Sequence, residues 1–190
     1  MASLPAALLI EVPELLETER LRLVATRPGF GPTVNEGTVE SHAELRPWMP
    51  WAKTAQSVEE SERHCRECRS KWHAREMLDY CFYRKADGLF VGKGGLHSID
   101  WSVPRFEIGY WIRSSCAGSG FATEATLALV GLAGRLGAAR VEIGSDARNA
   151  ASRRVAEKSG FALEGIRQQC KRDADGGLAD YCMYARVFPR

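Results

Sequence analysis

The sequence has almost no excess of charge of either sign: 26 lysines and arginines face 24 aspartates and glutamates, a net charge of +2 over 190 residues. A chain that tracks a phosphate backbone or an anionic lipid surface carries a basic excess, so neither nucleic acid nor a membrane is an expected partner. Long apolar runs are missing too. Nothing approaches the roughly 20 residues of a membrane span. The short apolar stretch Ala6–Ile10 has no basic residue before it and Glu11 directly after it, unlike a targeting signal. A cytoplasmic location is the expectation. There is no internal repeat and no low-complexity tract. Histidines number four, and Cys65-x-x-Cys68 has no second CxxC. His64 and His73 lack finger spacing, so no metal site is expected. The six cysteines (Cys65, Cys68, Cys81, Cys116, Cys170, Cys182) form an even count that alone suits a reduced or an oxidised compartment; the expectation is free thiols.

What is present is an ordinary globular mix, 45% hydrophobic and 26% charged. The length suits one domain that buries roughly 70% of its unfolded surface. Residues 1–17 read as a loosely attached arm and 18–190 as the domain. Thr18–Val24 alternates as a half-buried strand. Residues 33–46 suit a short helix that ends in the aromatic knot Pro47-Trp48-Met49-Pro50-Trp51. Ser57-x-x-Glu60 is a capping box that starts a helix, with Val58, Cys65, Cys68 and Trp72 on one face. Asp79–Arg84 and Leu89–Ile99 form a hairpin about Asp87-Gly88. Arg105–Arg113 is a strand with Glu107, Gly109, Trp111 and Arg113 on one face. An apolar helix follows from Phe121 to Leu136, then a strand over Ala139–Ser145. Asn149 caps a helix that Gly160 ends. Two strands flank Asp175-Gly176-Gly177. The order implies a mixed α/β sheet with helices packed on it.

The chemically informative stretch is Arg113-Ser-Ser-Cys-Ala-Gly118-Ser-Gly120-Phe-Ala-Thr-Glu-Ala125: a strand, a turn with two glycines, then a helix. Free N–H groups at a helix start attract anions, and glycines let a pyrophosphate approach. A plain strand-to-helix turn would look similar. The segment is neither a Walker loop nor Gly-x-Gly-x-x-Gly. The second stretch is Asn149-x-x-Ser152 followed by Glu157-Lys158-x-Gly160-Phe161, which alone is a well-capped helix.

In this order and spacing the two stretches resemble the GCN5-related N-acetyltransferases, and the likeness narrows to their RimJ/RimL type. The narrowing residues are Thr18-Glu-Arg-Leu-Arg-Leu23, Trp48-Met-Pro-Trp51, Glu107-Ile-Gly-Tyr-Trp-Ile112 and Gly120-Phe-Ala-Thr-Glu-Ala125. The resemblance implies a mixed central sheet splayed between its fourth and fifth strands, with helices on both faces and acetyl-CoA in the gap. It implies pantetheine pairing with the backbone of Trp111, Ile112 and Arg113. It gives the pyrophosphate to the amides of Gly118, Ser119, Gly120, Phe121 and Ala122, and a pantetheine contact to Asn149. Two departures stand out. The position where the family often has Gln or Arg is Ser115, and the usual proton-donating Tyr is replaced by Ala156. The resemblance then offers Ser152 as the acid.

The implied reaction is direct attack of an amine on the acetyl thioester, with no metal. Glu107 is the expected base, with His97 or water as alternatives; a solvated strand carboxylate would look the same. Trp48 and Trp51, kept out of regular structure by two prolines, would wall the acceptor cleft together with His97. An acyl-cysteine at Cys116 is rejected because no histidine is near in sequence. The acceptor is expected to be a protein or peptide N-terminal α-amine. A small-amine acetyltransferase (polyamine, amino acid or aminoglycoside) and a non-catalytic acyl-CoA-binding module stay open, as does a homodimer.

Overall fold

The computed structural model describes residues 7–189. Eight strands form one sheet: β1 (Leu15–Glu17), β2 (Leu21–Ala25), β3 (Leu78–Arg84), β4 (Phe90–Asp100), β5 (Arg105–Ile112), β6 (Arg140–Asp146), β7 (Ala162–Arg172) and β8 (Leu178–Val187). Their spatial order is β1-β2-β3-β4-β5-β6-β8-β7. Every neighbouring pair is antiparallel except β5 and β6. The helices are α1 (Gly31–Glu40), α2 (His42–Leu45), α3 (Val58–Ala74), α4 (Phe121–Arg135) and α5 (Ala150–Lys158).

Alternation along β5 divides its side chains between two cores. Phe106 and Ile108 join Leu23, Phe82 and Leu96 against Phe121, Ala125 and Leu129 of α4. Trp111 enters a smaller core with Phe90, Cys81, Val34 of α1 and Cys65 of α3. Gly37 sets how closely α1 can lie on the sheet: a Cβ there would stand 2.7 Å from the Phe90 ring. The capping box closes as expected, with Ser57 Oγ accepting from the Glu60 amide and Glu60 reaching back to the Ser57 amide.

Four local expectations are corrected. Leu15–Glu17, placed in the arm, pairs with β2 as an edge strand, and Leu16 is buried; residues 1–6 lie outside the described residues. The strand expected from Thr18 begins at Leu21, because Thr18 closes the turn with Leu21 instead. The helix expected over residues 33–46 divides at Ser41 into α1 and α2; the Ser41 hydroxyl accepts the Ser114 amide at 2.9 Å. Val58, at the first position of α3, is exposed rather than packed, and Ser61 is buried beside Cys65, Cys68 and Trp72.

All six cysteines are free, and only Cys170 is exposed. Burial pushes the Cys65 thiol up to about 11 and the Cys68 and Cys81 thiols up to about 12, so these three are poor nucleophiles. Titration of the denatured, unreduced protein with a thiol reagent should count six; the native protein should show one fast thiol. A denatured count of four would establish a disulfide and overturn this arrangement.

Candidate active site

The parallel pairing of β5 and β6 is short. It covers only Arg105 with Arg140, Phe106 with Val141 and Glu107 with Glu142. Beyond Glu107 the strands separate while β5 stays paired with β4 up to Ile112. These are the fourth and fifth strands of the sequence reading, renumbered here because β1 precedes them. The gap leaves one edge of β5 free to pair with an extended ligand. Which residues face it follows from one bond: the Arg113 amide donates to the Val91 carbonyl at 2.9 Å. Backbone groups alternate between the two edges of a strand. Arg113 and Trp111 therefore face β4, and Ile112 and Tyr110 face the gap. Of the three backbone partners expected for pantetheine, only Ile112 is on the open edge. The Arg113 carbonyl also accepts the Cys116 amide. Its guanidinium bonds Glu36 at 2.6 Å and Glu40, which occupies its charge on α1.

The loop after β5 is held from both sides. The Ser115 amide donates to Glu40, and the Ser114 hydroxyl to Glu44 at 2.9 Å. On the far side, Glu124 in the first turn of α4 accepts from Thr18 Oγ1, the Arg20 amide and Arg20 Nε. These donors outweigh the cost of partial burial and hold its carboxyl below the usual range. Arg20 also donates to the Ser119 carbonyl at 3.0 Å and lies over the Phe121 ring. Between these anchors, Gly118 (φ 74°) and Gly120 (φ 82°) take left-handed conformations. Gly120 is the N-cap of α4 and no side chain caps the helix. Among the described residues, no acceptor takes the amides from Gly118 to Thr123. The result is a row of unpaired donors at the positive end of a 15-residue helix.

Across the gap, Asn149 Oδ1 caps α5 by accepting the Ser152 amide at 3.0 Å. The cap leaves the Asn149 amide nitrogen and the Ser152 hydroxyl uncommitted to the helix. Ser152 Oγ lies 3.2 Å from Tyr110 Oη, which comes from β5. Burial raises the Tyr110 hydroxyl to about 12, a shift its bond with Ser152 moderates. In the β6 wall, Ser145 is buried and its hydroxyl has no partner among the described residues.

Two cavities meet at Tyr110, Gly109, His97 and Met49. One, of about 410 Å³, contains the mouth of the gap, with Glu107 on β5 and Asn149 and Ser152 on α5. Trp48 and the β7–β8 segment around Asp173 close its outer side. The other, of about 380 Å³, lies over Gly95 and Gly109, neighbours on β4 and β5 that contribute no side chain. Trp51 covers this chamber, its ring 6.3 Å from that of Trp111. The two tryptophans of the knot thus belong to different cavities. His97 stands opposite Glu107 across the strands, Nδ1 3.8 Å from Oε2, and its ring covers Gly109. Cys116 is buried in the main core and lines neither cavity.

Residues 20–162, three quarters of the chain, match the acetyltransferase (GNAT) domain family. The chain belongs to the GNAT acetyltransferases. It is an N-acetyltransferase. No curated protein matches it. Among solved structures, it is similar to RimL, a ribosomal L7/L12 alpha-N-protein acetyltransferase in complex with coenzyme A. That likeness has 25% identity and a TM-score of 0.86, over 92% of this chain and 98% of that one. Mycobacterium smegmatis RimJ with CoA-disulfide shares the fold at 24% identity (TM-score 0.80), covering 88% of this chain and 81% of that one. So does the microcin C7 self-immunity acetyltransferase MccE with acetyl-CoA and AMP, at 20% identity (TM-score 0.84), over 90% and 94% of the two chains.

The donor row, the open backbone edge at Tyr110 and Ile112 and the orphaned Ser145 hydroxyl fit the pyrophosphate, the amides and the carbonyls of acetyl-CoA. Sequence reasoning missed Tyr110, Ser145 and the second chamber. The adjacency of Gly95 and Gly109 was the only available signal for the chamber, and it needed the β4–β5 register to be read.

Proposed function

We propose that this acetyltransferase moves the acetyl group of acetyl-CoA directly to a protein or peptide N-terminal α-amine. The reading rests most on one observation: Glu107 and Ser152 face a single cavity at the point where β5 leaves β6. The likeness to RimL over nearly the whole chain supports the α-amine as acceptor. So does the chemistry. The amine attacks only when neutral, and an α-ammonium loses its proton near pH 8 whereas a lysine side chain loses it near 10.4. At neutral pH the first costs about 1 kcal/mol and the second more than about 4. One partly exposed carboxylate, acting directly or through water, suffices for an α-amine.

In this reading the acceptor enters between Trp48 and the β7–β8 segment. Glu107 takes its proton, with His97 beside it. The amides of Gly118 to Ala122 hold the pyrophosphate, and the Asn149 amide nitrogen reaches the pantetheine. Ser152 protonates the departing sulfur. Its hydroxyl does not cap α5, so removing it leaves the helix intact. Ser152→Ala should lower kcat about 100-fold and leave the KM for acetyl-CoA within twofold. An unchanged kcat, on a substrate whose chemistry limits the rate, would remove Ser152 from the mechanism. The acceptor class is tested by following thiol release from acetyl-CoA with N-terminal peptides, polyamines, amino acids and aminoglycosides. Peptides should react fastest, with kcat/KM rising up to about pH 8. Faster turnover of a polyamine would transfer the reading to small amines.

A further inference from the structure

Ser152 alone is a weak acid for its proposed task. A serine hydroxyl that gives its proton to a thiolate becomes an alkoxide, a far stronger base than the sulfur it has protonated. The residue that usually supplies a phenol in this family is Ala156 here. Yet a phenol is present, delivered from a different element. Tyr110 Oη stands 3.2 Å from Ser152 Oγ and 3.4 Å from the Ser152 carbonyl, across the splay from β5 to α5. The shorter contact joins the two hydroxyls. Tyr110 also borders both cavities and adjoins the open edge of β5.

We infer that Tyr110 and Ser152 act as one proton-donating pair, with Tyr110 the positioning residue that resupplies the serine. The inference rests on the proposed transfer reaction and adds a group to it. The nitrogen lone pair forms the new C–N bond, and the C–S bond breaks with its electron pair going to sulfur. Sulfur takes the Ser152 proton while Oγ takes the Tyr110 proton. The negative charge comes to rest on a phenolate instead of an alkoxide. The proton shed by the nitrogen returns to Tyr110 through Glu107 and water, so one proton passes from nitrogen to sulfur overall. The phenol is protonated throughout the neutral range; burial raises its proton affinity and so weakens it as an acid, and the bond with Ser152 offsets part of that.

The test uses whichever amine the wild-type enzyme turns over; wild-type turnover itself tests the proposed function, and the ratio of variant to wild type tests the pair. Tyr110→Phe should lower kcat about 100-fold with the acetyl-CoA dissociation constant unchanged. The double variant with Ser152→Ala should be no slower than the slower single variant, because residues acting as a unit are not additive. Incorporating a fluorotyrosine at position 110, which keeps the shape and lowers the phenol's proton affinity, should move the alkaline fall of kcat to lower pH. In the Ser152→Ala background that movement should vanish. Any of three results overturns the inference: Tyr110→Phe within twofold of wild type, losses that multiply in the double variant, or an alkaline limb that fluorination does not move. Lower melting temperature and weaker acetyl-CoA binding at full kcat would make Tyr110 a clip between β5 and α5 only.

Discussion

Gly120→Val should abolish the rise in melting temperature that acetyl-CoA gives the wild-type protein. At a ligand concentration 100 times the dissociation constant, binding adds about 2.7 kcal/mol, or about 5–10 °C for a chain of this size. The free protein has room for the side chain. A Cβ at Gly120 meets only the tip of Arg20, at 3.4 Å. The left-handed backbone there (φ 82°) makes any side chain cost about 1–2 kcal/mol, which lowers the ligand-free melting temperature modestly. The large effect falls on the ligand, because the branched side chain stands over the amides that would meet the pyrophosphate. Gly120→Ala should keep part of the shift. The same acetyl-CoA shift in Gly120→Val and wild type would place the phosphates elsewhere.

The second large effect is on stability. Lys93 is 3% exposed and bonds Asp79 Oδ1 at 2.9 Å and Cys68 Sγ at 3.5 Å, while Thr26 holds the same carboxylate oxygen. Burial works against the Lys93 charge, but Asp79 outweighs it and holds the ammonium above its ordinary range. Lys93→Met leaves the Asp79 carboxylate, half-buried and bonded to Thr26, without its cation, which should cost about 3 kcal/mol. In melting temperature that is about 10 °C. Adding Asp79→Asn removes the stranded charge yet keeps an acceptor for Thr26, and should restore most of the loss. The sign of the pH dependence follows from the raised Lys93 value. The pair contributes fully below the unfolded lysine value of about 10.4 and is lost only as pH climbs through the higher folded one. Stability between pH 6 and 9 should not vary on its account. A single variant that melts within about 2 °C of wild type would show that water reaches Asp79.

The elements that rest on near neighbours in sequence are legible in the sequence itself. Ser57 and Glu60 cap α3 from three residues apart, Asn149 caps α5 likewise, and Gly118 and Gly120 punctuate the loop because a left-handed backbone excludes most side chains. The features decided by distant chain are not. β1 is three residues long, too short for a period, and exists only because β2 offers it an edge. The break at Ser41 coincides with a bond to Ser114, 73 residues away. Nothing beside Lys93 in sequence marks a partner; β3 brings Asp79 to it. Tyr110 has no partner near it in sequence, and only the return of the chain through α5 sets Ser152 against its hydroxyl. For the backbone partners of the ligand, the family resemblance implied β5. It could not say which residues face the gap, because that depends on which bonds β4 takes first.

Transfer to an α-amine at the mouth of the splay is tested by where the acetyl group lands on a peptide that offers both kinds of amine. A peptide with a free N-terminus and an internal lysine is incubated with the enzyme and acetyl-CoA near pH 7.5, and the product is mapped by fragment mass spectrometry. One acetyl group should appear, on the first residue, and Tyr110→Phe and Ser152→Ala should slow its appearance without moving it. Acetylation of the lysine side chain in preference to the N-terminus would make the enzyme a lysine acetyltransferase and overturn the α-amine as acceptor.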